Sequence, residues 1–440
     1  MNINNEVQIE SEFNKLNFSD NDSNSVYIDH KNWDLWCKES VPRCLIEGWT
    51  SGNNDVDEFI KDTIYNAKNN KFLEWVPFDR FEDVKQIGEG GFAKVYSAKW
   101  IDGKTNKRQD DGSWKNKEPN PIKVALKRLN GSQNISAEYL NELKIHWRLY
   151  NLDDLSLKFY GITKDPQTKE LMMITQLAEQ GNLRCILSCK FNNIFWEEKL
   201  SLLLNIAIDL KNLHYLGYFH KDFHSGNILR DGATYISDFG LSGPSNEQKL
   251  GNKICGVLPY IAPEVLNGEP YTLSSDIYSF GVIMTELSSG KPPFYKRKHD
   301  LSLTLEICNG IRPEFGKGTP EIYKKLAYRC MNANPDQRPT STELYVILHF
   351  WNDSCSEIVQ KVVKLDYKGK EIKAIFEKAD KEIPNISTSY EKNPDAIYTS
   401  RVFTFNNLPK PINSSIITSY LDEDSKDCQD SKLFDLEIST

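Results

Sequence analysis

Three side chains that could carry chemistry lie close together in the sequence: Asp222, Asn227 and Asp238. The first two belong to His220-Lys221-Asp222-Phe223-His224-Ser225-Gly226-Asn227, and the third to Ser237-Asp238-Phe239-Gly240. Asp222 is placed to accept a proton from a hydroxyl, and Asn227, five residues on, to hold a metal ion. Asp238 adds a second metal-holding carboxylate on a glycine turn. These are the groups phosphoryl transfer requires, because that reaction depends on positioning and on neutralising phosphate charge.

Two upstream segments complete a phosphate site. Gly88-Glu89-Gly90-Gly91-Phe92-Ala93-Lys94-Val95 is a glycine-rich turn between strand-like runs, where missing side chains let backbone amides approach phosphate. In Val124-Ala125-Leu126-Lys127, strand alternation puts Ala125 and Lys127 on one face. A small residue can then floor an adenine site while the ammonium reaches phosphate oxygens. Glu142, fifteen residues beyond Lys127, falls on a helix face otherwise lined by Ile145 and Leu149, where an acid can hold the lysine. Singly, each feature has a plainer reading as a hairpin turn, a solvated lysine or a surface acid. A carboxylate beside a phosphate repels it unless a cation intervenes, so aspartates in such a site imply Mg2+.

The elements that must position these groups are written in the hydrophobic pattern. Val84–Ile87 and Val95–Trp100 flank the glycine turn as a hairpin, and Val124–Leu129 and Leu171–Leu177 read as buried strands. Ala137–Leu149 reads as an amphipathic helix. Leu200, Leu203, Leu204, Ala207, Leu210 and Leu213 form the clearest helical stripe and lead directly into His220, while Asp276–Ser288 reads as a core helix. The polar stretch 101–121 is expected to be a long, solvated hairpin excursion. Upstream, Val56, Phe59, Ile60, Thr63 and Ile64 have helical spacing within Asp55–Asn69. Residues 1–29 are polar and Asn-rich, which predicts disorder, and 30–80 form a helical lead-in expected to pack on the small lobe. From 352 to 440 charge rises and Ser, Asn and Asp accumulate, which predicts a mostly disordered polar tail.

A chain of 440 residues with 39% hydrophobic content can bury a large core, divided between two lobes. Its 54 basic and 62 acidic side chains leave a net charge of -8, which argues against a dedicated nucleic-acid surface. Nine cysteines without a Cys-x-x-Cys pair read as reduced thiols. No run approaches the length of a membrane span, and the polar N-terminus has no signal-like apolar stretch. A cytoplasmic setting is expected, with the nucleus also open.

In this order, the glycine loop, Val-Ala-Leu-Lys, His-Lys-Asp with its Asn, Asp-Phe-Gly, Ala262-Pro263-Glu264, Asp276 with Gly281, and Arg338-Pro339 resemble the eukaryotic protein kinase family across Phe81–Trp351. The resemblance implies an α+β, two-lobed fold with a small β-rich amino-terminal lobe and a larger helical carboxy-terminal lobe. It implies ATP and Mg2+ as cofactors and protein hydroxyls as acceptors. Lys127 would contact the α and β phosphates and pair with Glu142, Asp222 would be the catalytic base, and Asn227 and Asp238 would coordinate Mg2+. Ile87, Gly88, Gly90, Gly91 and Phe92 would cover the nucleotide, with Val95 and Ala125 sandwiching adenine. Thr175 falls at the gatekeeper position, and Gln176 to Ala178 at the hinge. Glu264 would form a structural ion pair with Arg338, and Asp276 would brace the backbone of the catalytic loop.

The chain departs from the family pattern at several positions. Ala93 replaces the third glycine of the loop, at modest cost unless the position requires positive φ. His224 and Val257 stand where serine/threonine enzymes usually carry Lys and Thr, so neither a permanent cation nor a hydroxyl is expected there. Lys221 replaces Arg before the base, exchanging a two-pronged phosphate grip for a point charge. Between Asp238 and Pro259 the hydroxyls are those of Ser242 and Ser245, which allows but does not demand control by phosphorylation. Gly256–Ile261 is similar to serine/threonine enzymes, and Phe223-His224-Ser225-Gly226 looks like the tyrosine-kinase-like branch. Ser/Thr hydroxyls are therefore the expected acceptors, with Tyr also open. Two other readings stand beside this one. One is a scaffold that keeps the fold and has lost transfer; the other is a small-molecule phosphotransferase, since the His-x-Asp-x-His-x-Gly-Asn loop resembles that of aminoglycoside and choline kinases.

Overall fold

The computed structural model describes residues 43–422, apart from 68–70, 91–92, 105–106, 111–112, 117–118, 130, 133–136, 154, 245–253, 357–366 and 406. The strands of the first lobe are β1 (Glu74–Trp75), β2 (Phe81–Glu89), β3 (Ala93–Trp100), β4 (Lys107–Asp110), β5 (Ser113–Asn116), β6 (Ile122–Leu129), β7 (Phe159–Lys164) and β8 (Leu171–Gln176). Six of them form one sheet in the order β1-β7-β8-β6-β3-β2, antiparallel except where β1 joins β7. β4 and β5 pair separately as a hairpin, at the place where an excursion is expected.

Helices α1 (Arg43–Ile46) and α2 (Asn54–Tyr65) precede the sheet, and α3 (Ala137–Leu152) links β6 to β7. Asn53 opens α2 by accepting a hydrogen bond from the Val56 amide. The apolar stripe Val56, Ile60 and Ile64 is buried in one cluster with Leu143 of α3 and Phe159 and Met173 of the sheet. The lead-in is thus built into the small lobe, as its helical spacing requires. The expected disorder of 1–29 lies outside the described residues.

The second lobe contains α4 (Leu183–Lys190), α5 (Trp196–Tyr215), β9 (Tyr218–Phe219), β10 (Ile228–Asp231), β11 (Ala233–Ile236), β12 (Gly243–Pro244), β13 (Ile254–Gly256), α6 (Pro263–Leu266), α7 (Leu273–Ser289), α8 (Leu301–Cys308), α9 (Glu321–Cys330) and α10 (Ser341–Cys355). Helix α7 is buried around its whole circumference, at every residue from Ser275 to Ser289. It can lie this close to α9 because Gly281 lacks a side chain. A Cβ there would meet Met331 Cγ at 2.7 Å and Cys330 Cβ at 2.8 Å.

The tail corrects the sequence expectation. Within 352–440, α11 (Tyr367–Asp380), β14 (Arg401–Phe403) and α12 (Ser415–Asp422) are ordered on the large lobe. Phe376 inserts between Trp196 and Trp351, at ring-centroid distances of 5.4 and 5.6 Å. Asp380 accepts a 2.7 Å hydrogen bond from the Trp196 amide at the start of α5. Ile372, Phe376, Ala379, Ile383, Ala396 and Tyr398 are all buried in the main core. Apolar residues this sparse cannot make a core of their own, but they suffice to fill a surface that the large lobe already presents. A composition average hides such a segment.

Candidate active site

The site is assembled where the sheet meets two loops of the large lobe. Pairing of β6 with β3 and β8 sets Lys127 beside Val95 and Met173, and Ala125 beside Ser97 and Thr175. The expected adenine floor and gatekeeper positions are therefore neighbours across β6 and β8. Gln176 ends β8, and its amide side chain donates to Asp231 Oδ2 at 2.7 Å, while Ala178 follows in the connection to α4. At the other edge, Gly88 pairs with Val95 across the β2–β3 hairpin, next to Ile87. The Gly90 amide donates to Ala93 O at 2.8 Å, closing the turn. Ala93 does not adopt positive φ, so its methyl is carried without backbone strain. Gly91 and Phe92 lie outside the described residues.

Lys127 is the hub. Its Nζ lies 2.6 Å from Glu142 Oε1 and 2.8 Å from Asp238 Oδ1. The first contact is the pairing implied by the sequence; the second, across 111 residues, is not. Burial works against the ammonium charge, but the carboxylates of Asp238 and Glu142 outweigh it and raise the Lys127 pKa. Burial likewise opposes ionisation of Asp238, and Lys127 overcomes it, bringing that carboxyl down to about 2. Both groups are charged at neutral pH.

Asp222 follows Lys221, which adopts φ +67°, the same value as Asp238. Two non-glycine residues in the left-handed region mark both loops as strained, a cost borne where side chains must be aimed. Asp276 supports the first loop by accepting from the amides of His220 at 2.7 Å and Lys221 at 3.2 Å. His220 Nε2 donates to Ser237 O at 3.1 Å, which ties this loop to the Asp238 turn. The second tie is Asn227, whose carbonyl accepts from both the amide and the hydroxyl of Ser237 at 2.9 Å. Phe239 packs against His220 and edge-on against His146 of α3, with centroids 5.3 and 4.6 Å apart. Burial, reinforced by the nearby Lys127, pushes His146 down to about 3, so a neutral ring bridges the lobes.

The carboxylate of Asp222 is buried at 7% exposure, and its surroundings differ from the expectation of no hydroxyl. His224 Nδ1 accepts from the Gly226 amide at 3.0 Å, which leaves Nε2 facing Asp222 Oδ1 at 3.6 Å. The Asn227 amide group donates to Asp222 O at 3.0 Å and reaches Oδ2 at 3.5 Å. Val257 is buried in the core. A hydroxyl does reach Asp222, but from the tail: Ser400 Oγ donates to Oδ2. Burial pushes the Asp222 pKa up, and the combined pull of His224 and Ser400 brings it below the usual carboxylate value. Ser400 was invisible to motif reading. The one available signal was the alternation of Phe403 and Phe405 with polar residues, a short strand pattern in a polar region.

Farther off, Arg338 grips Glu264 with two parallel contacts of 2.7 and 2.6 Å, as implied by the sequence. Asp238 and Asn227 fit the demands of a divalent cation. The carboxylate is ionised, and the asparagine spends its Nδ2 on Asp222 O, leaving its oxygen as a donor atom.

Residues 81–348 match the family described as protein tyrosine and serine/threonine kinase. The chain is 28% identical over 274 residues to a probable serine/threonine-protein kinase of Dictyostelium discoideum, covering 61% of this chain and 15% of that protein. A second such protein from the same organism is 27% identical over 297 residues, covering 65% of this chain and 30% of the relative. A probable LIM domain-containing serine/threonine-protein kinase, again from Dictyostelium, is 31% identical over 189 residues, or 42% of this chain and 29% of the relative. The chain thus spans less than a third of the length of these relatives. A family match over more than half of its residues, on the sheet and loops that bring Lys127 to Asp238, makes this chain a member of the protein tyrosine and serine/threonine kinase family.

Proposed function

We propose that the chain is an ATP-dependent protein kinase that transfers the γ-phosphoryl group to Ser and Thr hydroxyls of proteins, with Tyr as a second acceptor class. The observation that carries this reading is Lys127 held by both Glu142 and Asp238, in a site that also contains Asp222. An ammonium fixed in this way offers its charge to phosphate oxygens without having to be ordered first. Asp222, ionised at neutral pH, is in a state to take the acceptor's proton. Asn227 and Asp238 would hold Mg2+, which, when bound, neutralises phosphate charge. The serine/threonine assignment is supported by the similarity to serine/threonine-protein kinases of Dictyostelium discoideum, and the tyrosine-kinase-like branch by the Phe223–Gly226 sequence.

Radiolabelled ATP with Mg2+ and a generic protein substrate tests the reading. Wild-type chain should label the substrate on Ser or Thr. Asp222→Asn should label it roughly 10²–10⁴-fold more slowly, the usual contribution of a positioned general base. Equal labelling by both chains, or none by wild type, overturns it.

A further inference from the structure

The polypeptide around Ser400 crosses the large lobe in an extended form, and its position relative to Asp222 is that of an acceptor. β14 pairs antiparallel with β13, in the register Ile254–Phe403, Cys255–Val402 and Gly256–Arg401. β13 directly precedes Val257–Glu264, so the tail adds a strand to the segment that leads into the Ala-Pro-Glu helix. Strand addition is a common way to hold a peptide, since main-chain bonds fix its register. Gly256 supplies a backbone conformation that residues with a Cβ rarely adopt, with φ +136°, and it lies beside Asp222.

Anchors flank Ser400 on both sides. Upstream, the buried Tyr398 donates to Pro293 O at 2.9 Å, sets its ring edge-on to His299, and receives the Arg184 guanidinium over its face at 4.9 Å. Arg184 also donates to Tyr398 O at 3.0 Å. Downstream, Arg401 donates to His299 O at 3.3 Å, and Phe403 and Phe405 stack and pack on the core. Between these anchors the Ser400 hydroxyl meets the Asp222 carboxylate, 178 residues away in sequence. A contact serving only to satisfy a buried carboxylate needs no strand addition and no aromatic clamps on either side of one hydroxyl.

We infer that Ser400 is an intramolecular phosphorylation site of this chain, presented to Asp222 by the β13–β14 pairing. The inference rests on the kinase reading above. In the step, the Ser400 Oγ–H proton passes to the Asp222 carboxylate while Oγ bonds to the γ-phosphorus of a nucleoside triphosphate. The bond from that phosphorus to its bridging oxygen breaks, and the nucleoside diphosphate leaves with the electron pair. The phosphoserine carries a charge of about -1.5 to -2 beside Asp222, and this repulsion drives the segment from the groove. Until then the tail occupies the place of any other protein acceptor.

Full-length chain with ATP and Mg2+, analysed by phosphosite mapping at several protein concentrations, tests this. Ser400 should be labelled at a rate that does not change over a twentyfold dilution. In a mixture with wild type, the Asp222→Asn chain should remain unlabelled at Ser400. Phe403→Pro, which keeps the acceptor but removes a donor from the strand pairing with Ile254, should slow Ser400 labelling by roughly a hundredfold, the cost of misplacing a reacting group by about 1 Å. The same variant should label an added protein substrate without the lag expected of wild type. A Ser400 rate that rises with protein concentration, or labelling unaffected by Phe403→Pro, overturns the inference. So does labelling of the added substrate with none on Ser400. No labelling of either overturns the kinase reading itself, which separates the two failures.

Discussion

Lys127 Nζ lies 2.8 Å from Asp238 Oδ1, so the cation from the sheet and the carboxylate from the large lobe are one electrostatic unit that also includes Glu142. Glu142 is the deeper partner, with its side chain 2% exposed. Lys127→Met keeps the volume and strands that acid. Stability should fall by about 3–5 kcal/mol in urea denaturation at pH 7, and transfer should be lost. Adding Glu142→Leu to Lys127→Met should recover much of the stability and none of the activity, because an apolar pair has no charge to strand. A single variant as stable as wild type would show that the ion pair contributes nothing to the fold.

Arg338 makes four hydrogen bonds: two to Glu264, one to Asn332 O at 2.8 Å and one to Ser274 O at 2.9 Å. Lysine cannot reproduce that fork. Arg338→Lys should therefore cost about 2–4 kcal/mol, read as a lower Tm. An unchanged Tm would mean that a point charge suffices there.

Asp209 gives a pH-dependent handle away from the chemistry. Its carboxylate accepts from Ser156 at 3.0 Å and from the Ile236 amide at 2.9 Å, and burial pushes it up to about 7. Because the folded pKa exceeds the ordinary value of 3.8, the folded state binds more protons between pH 4 and 7. Its contribution is complete below the unfolded pKa and declines as pH rises through 7, by up to about 4 kcal/mol. Asp209→Asn can keep both hydrogen bonds and stays neutral. It should raise Tm at pH 8, with the gain shrinking below pH 7; a gain independent of pH would contradict the assignment.

Gly281 is required by the approach of α7 to α9. Gly281→Val would place methyls where Met331 and Cys330 already lie at 2.7–2.8 Å from a Cβ. Overpacking of this kind costs about 1–3 kcal/mol, and more where backbone must move. Chemical denaturation of the purified variant measures it, and a neutral result would mean that α9 can shift freely.

Legibility differed by element. The hairpin around the glycine turn, the β6 lysine strand, α5 and α7 were readable because each carries a local period or an apolar run that no distant contact overrides. The pairs Lys127–Glu142 and Glu264–Arg338, and the bracing by Asp276, came from motif order and are present as contacts. The tail was read as disordered because windowed composition averages Ile372, Phe376, Ala396 and Tyr398 into their polar neighbours. Each of these residues is buried by a surface made elsewhere in the chain, a fact no local window contains.

By itself, the sequence determined which groups are chemically able to act: the lysine, the two aspartates and the asparagine, with the elements that carry them. Residue type and short-range spacing are sufficient for that, since both are local. Only the tertiary structure decided who meets whom at long range: Lys127 with Asp238, and Ser400 on the Asp222 carboxylate. Contacts across 111 and 178 residues depend on how preformed surfaces close on one another, which spacing along the chain does not encode.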